Sequence, residues 1–313
     1  MLKSIVIYYS QTGNTKKIAQ AIHEGITQAG ANSDIARLRD VAPQDLENYD
    51  LIGLGSPVIH HRELPNVTKF IYSMKSLDGK HSFAFCTHGA LPGYYFARVV
   101  PAMSQMGLTV IGWKNWFTRV FHPFIPKPYY TDGHPDEIDL KEARDFGKAM
   151  VERSRNIYMG ETGLIPTLPR GREYDKIYRP VSPDSYEETS IFSKLEAQVQ
   201  FKVNKEKCKY PRCTHCIDSC PMGAIDLSGT EPIFSKSCDV CWLCWQTCPR
   251  GAIEVGDLEA LEKAHKLLIT LLLKKSIETF EARGSFRRLI PEEEIGYDNI
   301  FCRTPTPRFK IDG

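Results

Sequence analysis

Two stretches of this chain repeat one another 28 residues apart. The first, C-T-H-C-I-D-S-C-P-M-G-A-I, runs from Cys213 through Cys216, Cys220 and Pro221 to Ile225. The second, C-W-L-C-W-Q-T-C-P-R-G-A-I, runs from Cys241 through Cys244, Cys248 and Pro249 to Ile253. A further cysteine, Cys208 or Cys238, precedes each copy, so eight of the ten cysteines fall between positions 208 and 248, with Cys86 and Cys302 outside. Ten cysteines in 313 residues are too few for a secreted disulfide scaffold, and clustered thiols in a reducing compartment more often bind metal. No small-residue cleavage site follows the apolar start, and the longest apolar run, 267–273, is far short of the roughly 20 residues of a bilayer span. The expected location is therefore the cytoplasm.

With Cys238 included, the second copy reads C-x2-C-x2-C-x3-C-P without deviation, the spacing of bacterial iron–sulfur proteins. Three cysteines two residues apart wrap a tight loop around one corner of a cubane. The fourth leaves in an extended direction, because Pro221 or Pro249 biases the residue before it away from helix. Two zinc sites of four cysteines each are the alternative, since zinc accepts similar spacings but does not require the duplicated C-P-x-G-A-I. In the first copy four residues, not two, separate Cys208 from Cys213, so that loop must bulge. Lys202, Lys205, Lys207, Lys209 and Arg212 crowd it.

The repeat resembles the two-cluster bacterial ferredoxins. That resemblance implies one [4Fe-4S] cluster on Cys208, Cys213, Cys216 and Cys248, and a second on Cys238, Cys241, Cys244 and Cys220.

The first half of the chain has a different rhythm. Short apolar strands at 5–7, 51–55, 83–86 and 108–111, with a polar edge strand at 34–39, alternate with helical patterns at 66–74, 94–106 and 137–151 and a helix marked by Ile18, Ile22 and Ile26. Five strands with intervening helices predict a doubly wound α/β domain. After the first strand, Ser10, Gln11, Thr12, Gly13, Asn14 and Thr15 lead into the first helix, a hydroxyl-rich anion cradle that is neither a triphosphate loop nor a dinucleotide fingerprint. The third strand ends in Ser56, Pro57, Val58 and Ile59, the fourth in Thr87, His88 and Gly89. Both ends lie at the switch point expected of a sheet ordered 2-1-3-4-5, where FMN binds.

Residues 1–155 thus resemble flavodoxins. The resemblance implies that 10–15 hold the FMN phosphate, that Ser56 to Ile59 and Thr87 to Gly89 border the ring, and that Tyr94 stacks on it. His60, His61 and His88 are candidates to tune or protonate a flavin. The aromatic stretch from Trp113 to Tyr130 reads as packing, as cover for the flavin, or as a seat for a second domain.

The expected architecture is a flavodoxin-like doubly wound parallel sheet (1–155), a proline-containing linker (156–204), a small α+β two-cluster ferredoxin domain (205–257), and a C-terminal helix and tail (258–313). As a whole it resembles the flavodoxin–ferredoxin fusion proteins of anaerobic bacteria and archaea, the EFR-type ferredoxins. That resemblance implies an electron-transfer protein relaying low-potential electrons between FMN and two [4Fe-4S] clusters and on to redox partner proteins. The alternatives are a flavin-dependent reductase of a small substrate fed by the clusters, and a zinc-stabilised interaction module. The balance of 40 Lys+Arg against 38 Asp+Glu argues against a nucleic-acid partner, and a homodimer stays open.

Overall fold

The structure is a computed structural model that describes residues 1–122, 124–169, 199–226, 228–256, 259, 261–263, 266 and 274–296. Cys302, most of the expected linker and much of the expected C-terminal helix lie outside the described residues.

The chain divides into two units, one of Met1–Thr118 with the chain from Gly133, the other of Arg119–Asp132 with the cysteine-rich part. The first unit is built on a five-stranded parallel sheet of β1 (Lys3–Tyr8), β2 (Asn32–Arg37), β3 (Leu51–Pro57), β4 (His81–His88) and β5 (Thr109–Phe117). The order is β2-β1-β3-β4-β5, the one expected of a flavodoxin-like sheet. β3 and β4 are buried along nearly their whole length, with apolar centres at 51–55 and 83–86, because helices cover both faces. On one face pack α2 (Pro65–Tyr72) and α3 (Tyr95–Gln105), whose Phe70, Ile71, Tyr95, Phe96 and Val100 join Ile7, Leu54 and Ala84. On the other pack α1 (Asn14–Gln28) and α4 (Glu137–Tyr158), with Ile18, Ile22, Ile26 and Val151 against Val6, Phe83 and Phe85.

Two glycines set the α1–α4 contact. A Cβ on Gly25 would overlap the Arg144 carbonyl, and one on Gly147 would overlap the Ile22 carbonyl. β5 is longer than the sequence suggests and runs on through Trp113, Trp116 and Phe117. These aromatics alternate across the sheet: Trp116 joins the α1/α4 core and Trp113 packs against the α2/α3 core. At this end of the aromatic stretch, packing is the reading that holds.

The second unit contains two antiparallel pairs, β6 (Phe201–Val203) with β9 (Ile253–Val255) and β7 (Ile225–Asp226) with β8 (Ile233–Phe234). Between them lie short helices α5 (His215–Asp218) and α6 (Leu243–Thr247). Phe201–Val203 falls within the stretch that the sequence reads as linker, where it pairs with the strand that ends the cysteine repeat. α7 (Lys274–Ala282) lies within the expected C-terminal helix. Among the described residues no helix is long and apolar enough to cross a membrane.

Residues 119–132 pack with this unit. Phe124 is fully buried and its ring meets Trp242 edge-on at 5.2 Å, while the Gln246 amide donates to the Phe121 carbonyl at 2.6 Å. Lys127 ties the segment to itself through the Val120 carbonyl and Asp132.

Candidate functional sites

The carboxyl ends of β1, β3 and β4 bring the three candidate loops of the first unit together. Adjacent register places Tyr8 beside Gly55, and Pro57 beside Thr87. A Cβ on Gly55 would overlap the Phe85 ring, so this strand end needs glycine. Gly13 caps α1 in the left-handed region at φ 89°, a conformation glycine adopts without a Cβ penalty, and its N–H donates to Ser10 Oγ at 3.1 Å. No side chain caps α1, and its first turn holds no acidic residue. The Thr15 and Thr87 hydroxyls are hydrogen-bonded at 2.8 Å, which ties the start of α1 to the end of β4. Gln11 Nε2 is buried with no hydrogen-bond partner, a donor available to a ligand oxygen. An uncapped helix start, buried hydroxyls and an unpaired amide donor fit the phosphate of FMN.

The loop after β3 is a tight hairpin. Ile59 and Arg62 exchange backbone hydrogen bonds at 3.0 Å, and His60 and His61 between them lie at φ 49° and 62°. Positive φ at both central positions is the conformation that favours Asn-Gly, so two histidines there hold a strained backbone. The hairpin is anchored on both sides. Tyr94 N–H donates to the His61 carbonyl at 2.7 Å, which places Tyr94, just ahead of α3, against the hairpin tip. Buried Glu63 accepts from Arg98 Nε on α3 at 3.1 Å and from Thr68 Oγ1 at 2.7 Å. Val58 N–H donates to the Thr87 carbonyl at 2.9 Å. Ser56 is fully buried, and its hydroxyl is spent on the Pro57 carbonyl and Tyr95.

His88 ends β4 and is buried. Burial pushes its pKa down to about 4, only partly offset by the hydrogen bond between Nε2 and Asn115 Oδ1 at 2.8 Å. The ring is therefore neutral at neutral pH. Nε2 carries the proton toward Asn115, and Nδ1 remains a buried acceptor without a partner. Asn115 has no signal in the sequence, because it lies 27 residues on and reaches His88 only through β4–β5 pairing.

In the second unit the two cysteine runs fold alike. After Cys220-Pro221 and Cys248-Pro249 the chain turns at Gly223 and Gly251, both at φ 58°. The turn returns the Ala224 N–H to Cys220 Sγ at 3.3 Å and the Ala252 N–H to Cys248 Sγ at 3.2 Å. This accounts for the duplicated C-P-x-G-A-I: proline turns the chain, glycine takes the left-handed position, and alanine supplies a donor to sulfur. The four-residue gap after Cys208 closes through Cys213 N–H on the Lys209 carbonyl at 3.1 Å.

The sulfurs fall into two sets. Cys208, Cys213, Cys216 and Cys248 line one cavity, about 390 Å³ with its mouth included. Burial, followed by its neighbours Cys248, Cys208 and Cys213, pushes the Cys216 thiol up to about 12. Burial likewise pushes Cys241 up to about 12 and raises Cys244 well above the ordinary thiol range, and Cys238 and Cys220 act on both. Asp239 adds to the upward shift of Cys238 and Cys241. Thiols so placed release their protons only to a cationic centre that takes the thiolates. Two sets of four thiols, with Cys248 of the second run in the set of the first, fit a pair of iron–sulfur clusters.

His134, Asp136 and Asp139 also converge. They form the cap of α4: Asp136 accepts from the Asp139 N–H, and Asp139 accepts from the Asp136 N–H and His134 Nδ1.

The profile of the Flavodoxin domain family (Flavodoxin_5) matches residues 5–130. The N-terminal half is a flavodoxin-like domain. This domain supports FMN binding and a role in electron transfer or oxidoreduction. An uncharacterized protein of Methanocaldococcus jannaschii is 28% identical over 165 residues, which are 48% of this chain and 99% of that protein. A protein named NAD(P)H dehydrogenase (quinone) from Rhodopseudomonas palustris is 26% identical over 199 residues, 50% of this chain and 100% of that one. Among solved structures, a flavodoxin from the domain Archaea aligns with 25% identity and a TM-score of 0.40, over 49% of this chain and 99% of its own.

Proposed function

We propose that this chain is an electron-transfer protein whose flavodoxin-like domain binds FMN and whose second unit binds two [4Fe-4S] clusters, passing low-potential electrons to or from a partner redox protein. The observation that carries the reading is the partition of eight cysteines into two sets of four, with Cys248 of the second run lining the cavity of the first. FMN takes two electrons and gives them up singly, while a cluster carries one, so together they match carriers of different stoichiometry. Ser10, Gln11, Thr12, Gly13, Asn14 and Thr15 would hold the phosphate. Ser56, Pro57, Val58, Ile59, Thr87, His88, Gly89 and Tyr94 would border the ring. Neutral His88 offers an acceptor and no cation. The duplicated Ala224 and Ala252 N–H groups donate to sulfur, which stabilises the thiolate ligands.

The test is anaerobic purification with flavin and iron quantitation, then reductive titration. The expected result is about one FMN and about eight irons per chain. Colourless protein holding zinc would sink the proposal.

A second reading is a flavin-dependent reductase of a small substrate, favoured by the likeness to the NAD(P)H dehydrogenase (quinone) sequences. Reoxidation of the reduced protein by a quinone, with no partner protein present, distinguishes it from the carrier.

A further inference from the structure

The two cysteine sets have different surroundings. Lys209, His215 and Arg250 line the cavity of Cys208, Cys213, Cys216 and Cys248. Lys209, Arg212 and Arg250 are exposed, and among the described residues none of them has an ion-pair partner. Of the neighbouring lysines, Lys205 pairs with Glu231 at 3.1 Å and Lys207 with Glu254 at 2.9 Å. The other set has Asp239 acting on Cys238 and Cys241, and Cys244 is buried between buried Trp242 and Trp245. One set therefore borders an accessible, cationic surface. The other has Asp239 beside Cys238 and Cys241 and holds the one buried thiol of the eight, Cys244.

We infer that the rim of Lys209, Arg212 and Arg250 is the docking surface for an acidic one-electron carrier protein. This rests on the reading of the adjacent cysteines as cluster ligands. Lys209 and Arg250 on the cavity lining, with exposed Arg212 next to Cys213 in the chain, supply the complementarity that steers an acidic protein and fixes its orientation, and they put its redox group next to this cysteine set. A nucleic acid fits poorly. The chain carries a net charge of only +2, and about three cations would neutralise few phosphates.

The test uses the full chain, purified anaerobically, with an acidic plant-type [2Fe–2S] ferredoxin as probe and calorimetric affinity as readout. Iron and acid-labile sulfide are assayed first. Their absence overturns the cluster reading and this inference with it. With iron present, raising salt from about 0.01 to about 0.1 M shortens the Debye length from about 30 to about 10 Å and should weaken binding on the order of tenfold. Lys209→Glu, Arg212→Glu and Arg250→Glu together should weaken it at least as much at the lower salt. Lys69→Glu with Lys75→Glu, exposed positions of the first unit, should leave it unchanged. If the charge-reversed chain loses iron, the milder Lys209→Gln/Arg250→Gln pair, with its iron verified, should still flatten the salt dependence. Salt-independent binding to iron-loaded protein, equal loss in the Lys69/Lys75 variant, or tighter binding to duplex RNA or to phosphatidylglycerol vesicles at the same salt overturns the docking surface and leaves the cluster reading standing.

Discussion

The hydroxyl of Thr15, in the first turn of α1, meets the hydroxyl of Thr87, near the end of β4, at 2.8 Å. This buried bond joins two of the loops assigned to FMN. Thr15→Val keeps the shape and strands the Thr87 oxygen, at a cost of about 1–3 kcal/mol. Urea melts should show that loss, and FMN fluorescence quenching should show weaker binding. Thr15→Ser should recover most of both. Unchanged flavin affinity in Thr15→Val would remove this pair from the site.

His88 gives the fold a pH dependence with a defined sign. Its folded pKa, about 4, lies below the unfolded value near 6.5. Between those values the unfolded chain binds the proton and the folded chain does not. Stability is thus fully present above about pH 6.5 and is lost as pH falls toward 4, by roughly 3 kcal/mol in all. Denaturant midpoints at several pH values, compared with His88→Gln, check this: the variant should lose that component of the slope.

The His60–His61 turn stores backbone strain. Replacing the pair by Asn and Gly, the residues this turn prefers, should raise stability by about 1–2 kcal/mol. A rise in melting temperature without a change in FMN affinity would show that the two imidazoles are not needed for binding. A fall in affinity would place them in the site.

Gly223→Ala or Gly251→Ala forces a Cβ into the left-handed region and pulls the Ala224 or Ala252 N–H away from sulfur. Each should cost about 1–2 kcal/mol and lower the iron retained per chain. Gly256→Ala, where a Cβ meets nothing within 4 Å, is the control and should be neutral within a few tenths of a kcal/mol.

The α/β half was legible because its signals are local. Ile18, Ile22 and Ile26 mark a helix face by period, and the apolar runs at 5–7, 51–55 and 83–86 mark strands covered on both sides. The alternation marked a doubly wound parallel sheet, and the order 2-1-3-4-5 came with the flavodoxin resemblance, since one-handed crossovers permit more than one order. Strand ends were less legible. β5 runs six residues past its apolar stretch because pairing with β4 carries it through Trp113 to Phe117. The fate of residues 119–132 had no local signal either. Phe124 is one aromatic among many in the sequence, and only its contact with Trp242 assigns the segment to the second unit.

By itself the sequence determined the eight candidate ligand cysteines, the proline and glycine that follow two of them, and the sheet with its candidate phosphate loop, because spacing, proline, glycine and hydrophobic period act over a few residues. Tertiary structure alone decided that Gln11 is left with an unpaired donor and that His88 is held neutral. Each of these depends on which distant segment excludes water from the group, and chain separation does not encode that.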